Sequence, residues 1–317
     1  MSQNLTRRQL SAIIPAVVCA LYAAPSSDAR QTRDRETYDI EEVEAPRPWA
    51  IRFDTAFKHT LKHDLDDEGD VSITRAGLQV GFGLPLSERS MFNFDIDGEY
   101  SNYNFGGATT LAPDSTDPFD DFYSTSITPS IFIQLEEQWT ALVGGNVTFA
   151  GESNARISDS ITGNIFATFG RHLSPDLFLA AGILVSTRLE DDVRVIPLIG
   201  VDWRFHEQWR LHSQGAGARL TYEATESLDL SLRGRWESRE YRLSSSSDAL
   251  SRGAFLDDRI LISAEAAWRP SDRMSVKVEG GASVYERFKT LDRRGDRVSR
   301  QVNDPAPFFG INVSIAF

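Results

Sequence analysis

From position 49 to the end of the chain, apolar side chains recur at every second residue, and this period of two constrains the fold more than any other feature. In Trp49-Ala50-Ile51-Arg52-Phe53-Asp54-Thr55-Ala56-Phe57-Lys58, one parity reads Trp, Ile, Phe, Thr, Phe and the other Ala, Arg, Asp, Ala, Lys. A strand sends those sets to opposite faces, so one face suits hydrocarbon and the other water. A single strand of this kind would also fit a soluble sandwich; recurrence is what separates the two. The pattern returns in 91–103, where Phe92, Phe94, Ile96 and Tyr100 oppose Asn93, Asp95, Asp97 and Glu99. It returns again in 139–149, 177–189, 193–205, 228–236, 260–268 and 274–284.

The spacing predicts 14 strands, at about 49–60, 70–84, 91–105, 121–136, 139–151, 159–172, 177–189, 193–205, 209–214, 217–223, 227–243, 257–269, 274–289 and 306–317. The short pair around Gly215-Ala216-Gly217 is the weak point. Fusing it would leave an odd number, whereas bacterial single-chain barrels close with even numbers, so 12 is the alternative. Tight turns at 85–90, 136–138, 174–176, 206–208, 224–226 and 270–273 alternate with connections that include long ones at 61–69, 106–120, 244–256 and 290–305. Short turns on one side and long loops on the other are the pattern of outer-membrane barrels. The expected fold is therefore all-β: a transmembrane antiparallel up-and-down β-barrel over 49–317. In lipid the backbone has no water to bond, so such a sheet must close.

Tryptophan placement points the same way. Trp49, Trp139 and Trp209 begin strands leaving the short-turn side, and Trp203 and Trp268 end strands returning to it, all on the apolar parity. Indole rings with an N–H suit the headgroup level, so these five read as half of an aromatic membrane girdle. At the C-terminus, Phe309, Ile311, Val313, Ile315 and Phe317 alternate up to an aromatic last residue. That resembles the terminal strand by which the barrel-assembly machinery recognises its clients, making that machinery and outer-membrane lipid the expected partners.

The first residues read as an export signal. Arg7 and Arg8 precede an apolar run over 10–24, followed by the small residues of Ser27-Asp28-Ala29. The expected organisation is a signal peptide over 1–29, a flexible charged periplasmic segment over 30–48 and the barrel over 49–317. Cys19 is the only cysteine, so a chain cleaved after the signal has no disulfide, thiol nucleophile or thiolate metal site. A net charge of −13 without a basic stripe excludes nucleic acid as a partner, because phosphate contacts need clustered Lys and Arg.

The stretch 209–317 resembles a family of uncharacterised, porin-like bacterial outer-membrane barrels. The resemblance lies in Tyr241-Arg242-Leu243 ending a long strand, in Asp304-Pro305-Ala306-Pro307-Phe308 before a glycine, and in the terminal Phe317. It implies architecture and supplies no site.

The polar parity faces the interior of such a barrel. Asp95, Asp97 and Glu99 form an acidic group on one strand, while Arg188, Arg194, Arg204, Arg233 and Arg235 follow on later ones. Two walls of opposite sign would set a transverse field that sorts solutes by charge. The alternative is that these charges pair across a filled interior, for instance Arg75 with Glu99. Asp64-Leu65-Asp66-Asp67-Glu68-Gly69 opens like a calcium loop, yet its twelfth position is Arg75 where a glutamate is required. A looser divalent-cation bridge with Asp114, Asp117, Asp120 and Asp121 stays open, against the simpler reading of a solvated acidic loop.

Histidines are few: His59, His63, His172, His206 and His212. No G-x-S-x-G elbow, phosphate loop or metal-ligand spacing accompanies them, so neither a catalytic residue, a metal nor a cofactor is expected. The leading expectation is passive passage of small solutes through a bacterial outer membrane. A non-conducting structural or adhesion barrel is second, and a barrel hydrolase third. Neither the solute nor the oligomeric state follows from the pattern.

Overall fold

The computed structural model describes residues 50–317 except 67, 113–117, 120, 137, 214–215 and 246–249. The expected signal peptide, the segment 30–48 and Trp49 lie outside the described residues, as do Asp67, Asp114, Asp117 and Asp120. The strands are β1 (Ala50–Asp64), β2 (Asp70–Ser87), β3 (Ser90–Gly106), β4 (Asp121–Gln134), β5 (Trp139–Glu152), β6 (Ile161–Ser174) and β7 (Leu177–Ser186). Then come β8 (Arg194–His206), β9 (Trp209–Ser213), β10 (Gly217–Glu223), β11 (Leu228–Arg242), β12 (Ala254–Ser271) and β13 (Met274–Leu291). β14 (Arg297–Asn303) and β15 (Ala306–Ala316) complete the chain.

Every strand pairs antiparallel with its sequence neighbour round to β13, and β15 then pairs with both β13 and β1. The sheet is closed. Its seam runs from Arg52 opposite Ala316 to Thr60 opposite Phe308. The wall holds 14 strands, because β14 and β15 lie in one register on β13: Asn303 faces Glu286 and Ala306 faces Ser283. Asp304-Pro305 merely interrupts that strand, where proline has no amide to donate. The short pair β9 and β10 is real, and its two strands stand in the wall separately. No helix among the described residues is long and apolar enough to cross a membrane.

Several expected boundaries move, two of them with consequences for the interior. The connection expected over 290–305 is mostly wall, since 297–303 forms β14. It hides in the sequence because its inward residues, Gln301 and Asn303, are polar yet buried. β7 stops at Ser186 rather than at 189, so Arg188 belongs to the loop before β8.

The taller strands reverse their polarity partway up. In β2, Leu78, Val80 and Phe82 face outward in the lower part; above them the outward positions become Thr74 and Ser72, while Ile73 and Val71 turn inward at 1% and 0% exposure. β3 does the same, with Phe94 and Ile96 outward below and Tyr103 and Phe105 inward above. An apolar exterior suits lipid and an apolar interior with a polar exterior suits water, so the switch marks where the wall leaves the bilayer. Above it, Tyr103, Phe105, Phe119, Phe122, Tyr241, Phe255 and Phe288 fill the interior with Leu111 and Leu250 from the loops. Phe122 stacks on Tyr241 with ring centroids 4.3 Å apart, and Tyr103 meets Phe255 edge-on at 5.4 Å. Each such pair adds ~0.5–1.5 kcal/mol beyond its buried area.

Candidate functional site

Below this aromatic cap lies a layer of paired charges. Arg259, fully buried, donates to Asp257 at 2.7 Å and ion-pairs with Glu286 at 2.5 Å. Arg75 reaches the same Asp257 at 2.6 Å, and the Tyr103 hydroxyl donates to that carboxylate at 2.5 Å. His63 bonds Glu286 from the other side. Ionised groups out of water survive only when fully paired, and here each carboxylate has two or three cationic or hydroxyl partners. Cap and charge layer together close the straight route through the barrel: Thr60, Asp257, Arg259, Ser283, Glu286 and Thr290 are all at 0–1% exposure.

The inner faces of β3, β10, β11, β12, β13 and β1 carry the next layer. Arg239 grips Glu99 with two bonds of 2.7 and 2.8 Å and also donates to Glu237. Arg235 holds Glu237 at 2.8 Å and Glu279 at 2.9 Å, Lys58 reaches Glu237 at 2.7 Å, and Arg219 and Arg233 share Glu265. Lower still, Asp95 takes a bond from Gln79 at 3.3 Å and lies 3.7 Å from Arg52, and Asp97 accepts from Ser126 at 3.4 Å.

Of the expected interior residues, Arg75, Asp95, Asp97, Glu99, Arg233 and Arg235 thus stand on inward faces. They do not divide into an acidic and a basic wall: Glu237, Glu265 and Glu279 sit among the arginines and neutralise them locally. Arg75 does lie near Glu99, at 3.9 Å, but its close partner is Asp257. Arg204 faces inward at the short-turn end and pairs with Glu223 at 3.3 Å. Arg188 leaves the set. Its loop carries it to Glu240 at 2.5 Å and Asp191 at 2.7 Å on the rim. Burial disfavours the Asp191 charge, but the Asp192 amide and the Arg188 and Lys289 cations outweigh it and hold that carboxyl below its usual range. Arg194 opens β8, its guanidinium 5.7 Å from the Trp236 ring centroid.

Part of the remaining inner wall is apolar. Leu142, Phe166 and Leu198 are buried together on β5, β6 and β8, with Phe132, Leu184 and Ile196 packed against them. Phe178 lies over Gly170, where a Cβ would come within 2.1 Å of the ring, so only glycine leaves room for that aromatic.

On the outside, Trp139, Trp203 and Trp268 are exposed at the short-turn end, and Trp209 packs half-buried on Tyr222 at 5.0 Å. Phe309, Ile311, Ile315 and Phe317 are exposed on the outer face of β15, with Val313 half-buried between them. His59 and His63 separate, because a bulge between Thr60 and His63 flips the parity. His59 stays outward on Thr74, and His63 turns inward to Glu286. No cluster of three metal-ligating side chains occurs among the described residues.

Sequence reasoning missed Lys58, Glu237, Arg239, Asp257, Arg259, Glu265, Glu279 and Glu286. Their inward parity was legible, but the partner of each depends on register across the barrel.

Among solved structures, one titled "TodX monoaromatic hydrocarbon channel deltaS2 mutant" is 10% identical, with a TM-score of 0.46 over 86% of this chain and 91% of that one. An outer membrane channel from Pseudomonas putida F1 is 12% identical, with a TM-score of 0.42 over 89% of this chain and all of that one. The NanC porin is 11% identical, with a TM-score of 0.38 over 83% of this chain and 98% of that one. Such values compare one barrel with another and assign no cargo. No curated protein matches the chain in sequence. The matching family model reaches well beyond the C-terminal third in which the terminal strand and its motifs lie, covering residues 56–316, and the chain belongs to the family it describes, the domain of unknown function DUF6268.

Proposed function

We propose that this protein is a bacterial outer-membrane barrel, exported by residues 1–29 and trailing residues 30–48 in the periplasm, that lets small solutes pass passively. One observation carries the reading: below the sealed cap, the short-turn end of the lumen is open to solvent. Side chains that face inward remain partly open to solvent there, with Arg204 at 47%, Arg52 at 44% and Arg233 at 27%. Charges reachable from the short-turn side of the barrel set which ions enter. Recording in planar bilayers tests this. Discrete current steps from folded protein are expected, and a flat trace from folded protein overturns the reading.

A second reading, a non-conducting barrel that displays its loops, is favoured by the cap itself, where Tyr103 and Phe255 are both at 0% exposure. The same recording separates the two.

A further inference from the structure

Two edges of the wall have no neighbour. β8 pairs with β7 from Arg194 to Trp203, but with β9 only from Asp202 to His206. β11 pairs with β12 along its whole length, but with β10 only as far as Arg235, and meets another strand again only at Arg242. Among the described residues, no strand lies against the facing edges of 194–201 and 236–241. The cause is length: β9 and β10 have 5 and 7 residues beside 13 in β8 and 15 in β11. From Trp209, five residues climb ~13 Å at ~3.3 Å each and ~40° tilt, about half of a ~25 Å apolar band. The opening therefore faces the outer half of the bilayer.

An unpaired edge at that depth is costly unless it is buried in protein or water reaches it. The chain limits the cost with side chains. The Val201 amide donates to the Ser213 hydroxyl at 2.7 Å, so by parity the amides of Ile199 and Val195 face the same way. The position between them is Pro197, which has no amide to satisfy. On the opposite edge the Trp236 amide donates to Ala216 at 2.8 Å, which turns the backbone of Ser238 and Glu240 toward the opening. Across the gap, Arg194 stands over the Trp236 ring; Asp258, Glu240 and Asp191 lie in its field, but no salt bridge joins it to a described residue. Immediately inside, Ile196 and Leu198 of β8 continue into the apolar patch with Leu184 and Phe166.

A solute at this opening meets a cation beside an aromatic ring, then an apolar wall, then the solvent-open lower end of the lumen. We propose that the gap between β8 and β11 is a lateral port for small amphipathic anions, with one acidic group bound by Arg194 and an apolar body passing over Ile196 and Leu198. The proposal rests on the passive-passage reading and supplies the exit that the sealed cap denies.

The test uses the full-length barrel in liposomes loaded with naphthalene-1-sulfonate, with 2-hydroxyethanesulfonate as the polar anion and chloride conductance recorded in parallel. Wild type is expected to release the naphthalenesulfonate the faster of the two. Arg194→Gln should slow that release about tenfold, the scale of one lost charge-assisted hydrogen bond, and Arg194→Lys should recover most of it. Pro197→Cys, folded first and then alkylated with a bulky maleimide, should block release even if Arg194→Gln fails to fold. Unchanged naphthalenesulfonate release after alkylation, in a barrel that still conducts chloride, overturns the port and leaves passive passage standing. Absence of both release and conductance in folded wild type overturns both.

Discussion

Gly151 and Arg242 pair their backbones in parallel at the outer ends of β5 and β11, although five strands separate β5 from β11 in the wall. The Arg242 side chain then ties three further segments together, donating to Asp159 O at 2.7 Å, Arg252 O at 2.6 Å and Glu190 Oε1 at 2.7 Å. The taller strands, from β11 round through β1 to β5, meet by this bridge above the shorter ones.

Gly151→Val should break the bridge. A Cβ there would lie 2.8 Å from Arg242 O and 3.0 Å from the Ala155 Cβ, and overpacking of this kind costs ~1–3 kcal/mol. Faster proteolysis within 153–160 and 243–253, with the lower barrel still intact on gels, is the expected outcome.

Arg259→Met would take one cation from each of two fully buried carboxylates, leaving Asp257 with Arg75 and Tyr103 and Glu286 with His63. A loss of ~3–5 kcal/mol of unfolding free energy is expected from urea titration of the folded band. Adding Glu286→Gln to the same chain should return part of it, because that carboxylate then needs no cation, while Asp257 keeps Arg75.

Phe255→Ala removes a ring that contacts Tyr103, Phe119, Phe122 and Phe288. The cap should lose ~3–5 kcal/mol. If the cap is the axial barrier, single-channel conductance should rise in this variant; an unchanged step size would show that current never takes the straight route.

Asp95→Asn/Asp97→Asn should move ion selectivity toward anions. These two have hydroxyl, amide and distant arginine neighbours, whereas Glu99 is already neutralised by a two-bond contact with Arg239. Reversal potentials in a salt gradient measure the shift.

Phe317→Ala should hurt assembly more than stability. The ring meets Phe53 edge-on at 6.0 Å, worth about 1 kcal/mol, and the terminal amide donates to Ile51 at 2.9 Å regardless of side chain. Low yield of folded barrel in cells, beside near-normal urea resistance of protein refolded in detergent, is the expected contrast.

The wall was legible because lipid and lumen impose opposite tastes on alternate residues, as in Phe92 to Glu99. Even the short strands β9 and β10 could be read that way. β14 could not: its inward Gln301 and Asn303 look like loop residues, and the outward Val298 and Val302 alone are too sparse to reveal a strand. The pairing of charges was hidden for a different reason. Glu99 and Arg239 stand 140 residues apart, and whether they meet depends on the stagger of every strand between them. The cap did leave a trace, in Val71, Ile73, Tyr103 and Phe105 taking the parity that lower down belongs to Arg75 and Asp97. That inversion within one strand is a depth gauge, and it is lost when a strand is averaged as a whole.

The polarity switch also has a mechanical consequence for the surrounding membrane. Ser72, Thr74, Asn102 and Asn104 begin directly above the apolar band, so a thicker bilayer could wet its tails only by covering polar surface. Mismatch of that kind costs a fraction of a kcal/mol per ångström and is relieved by thinning the lipid or by tilting. Anchored at one fixed level, this barrel should gather in the thinnest regions of its membrane and compress the lipid shell around it.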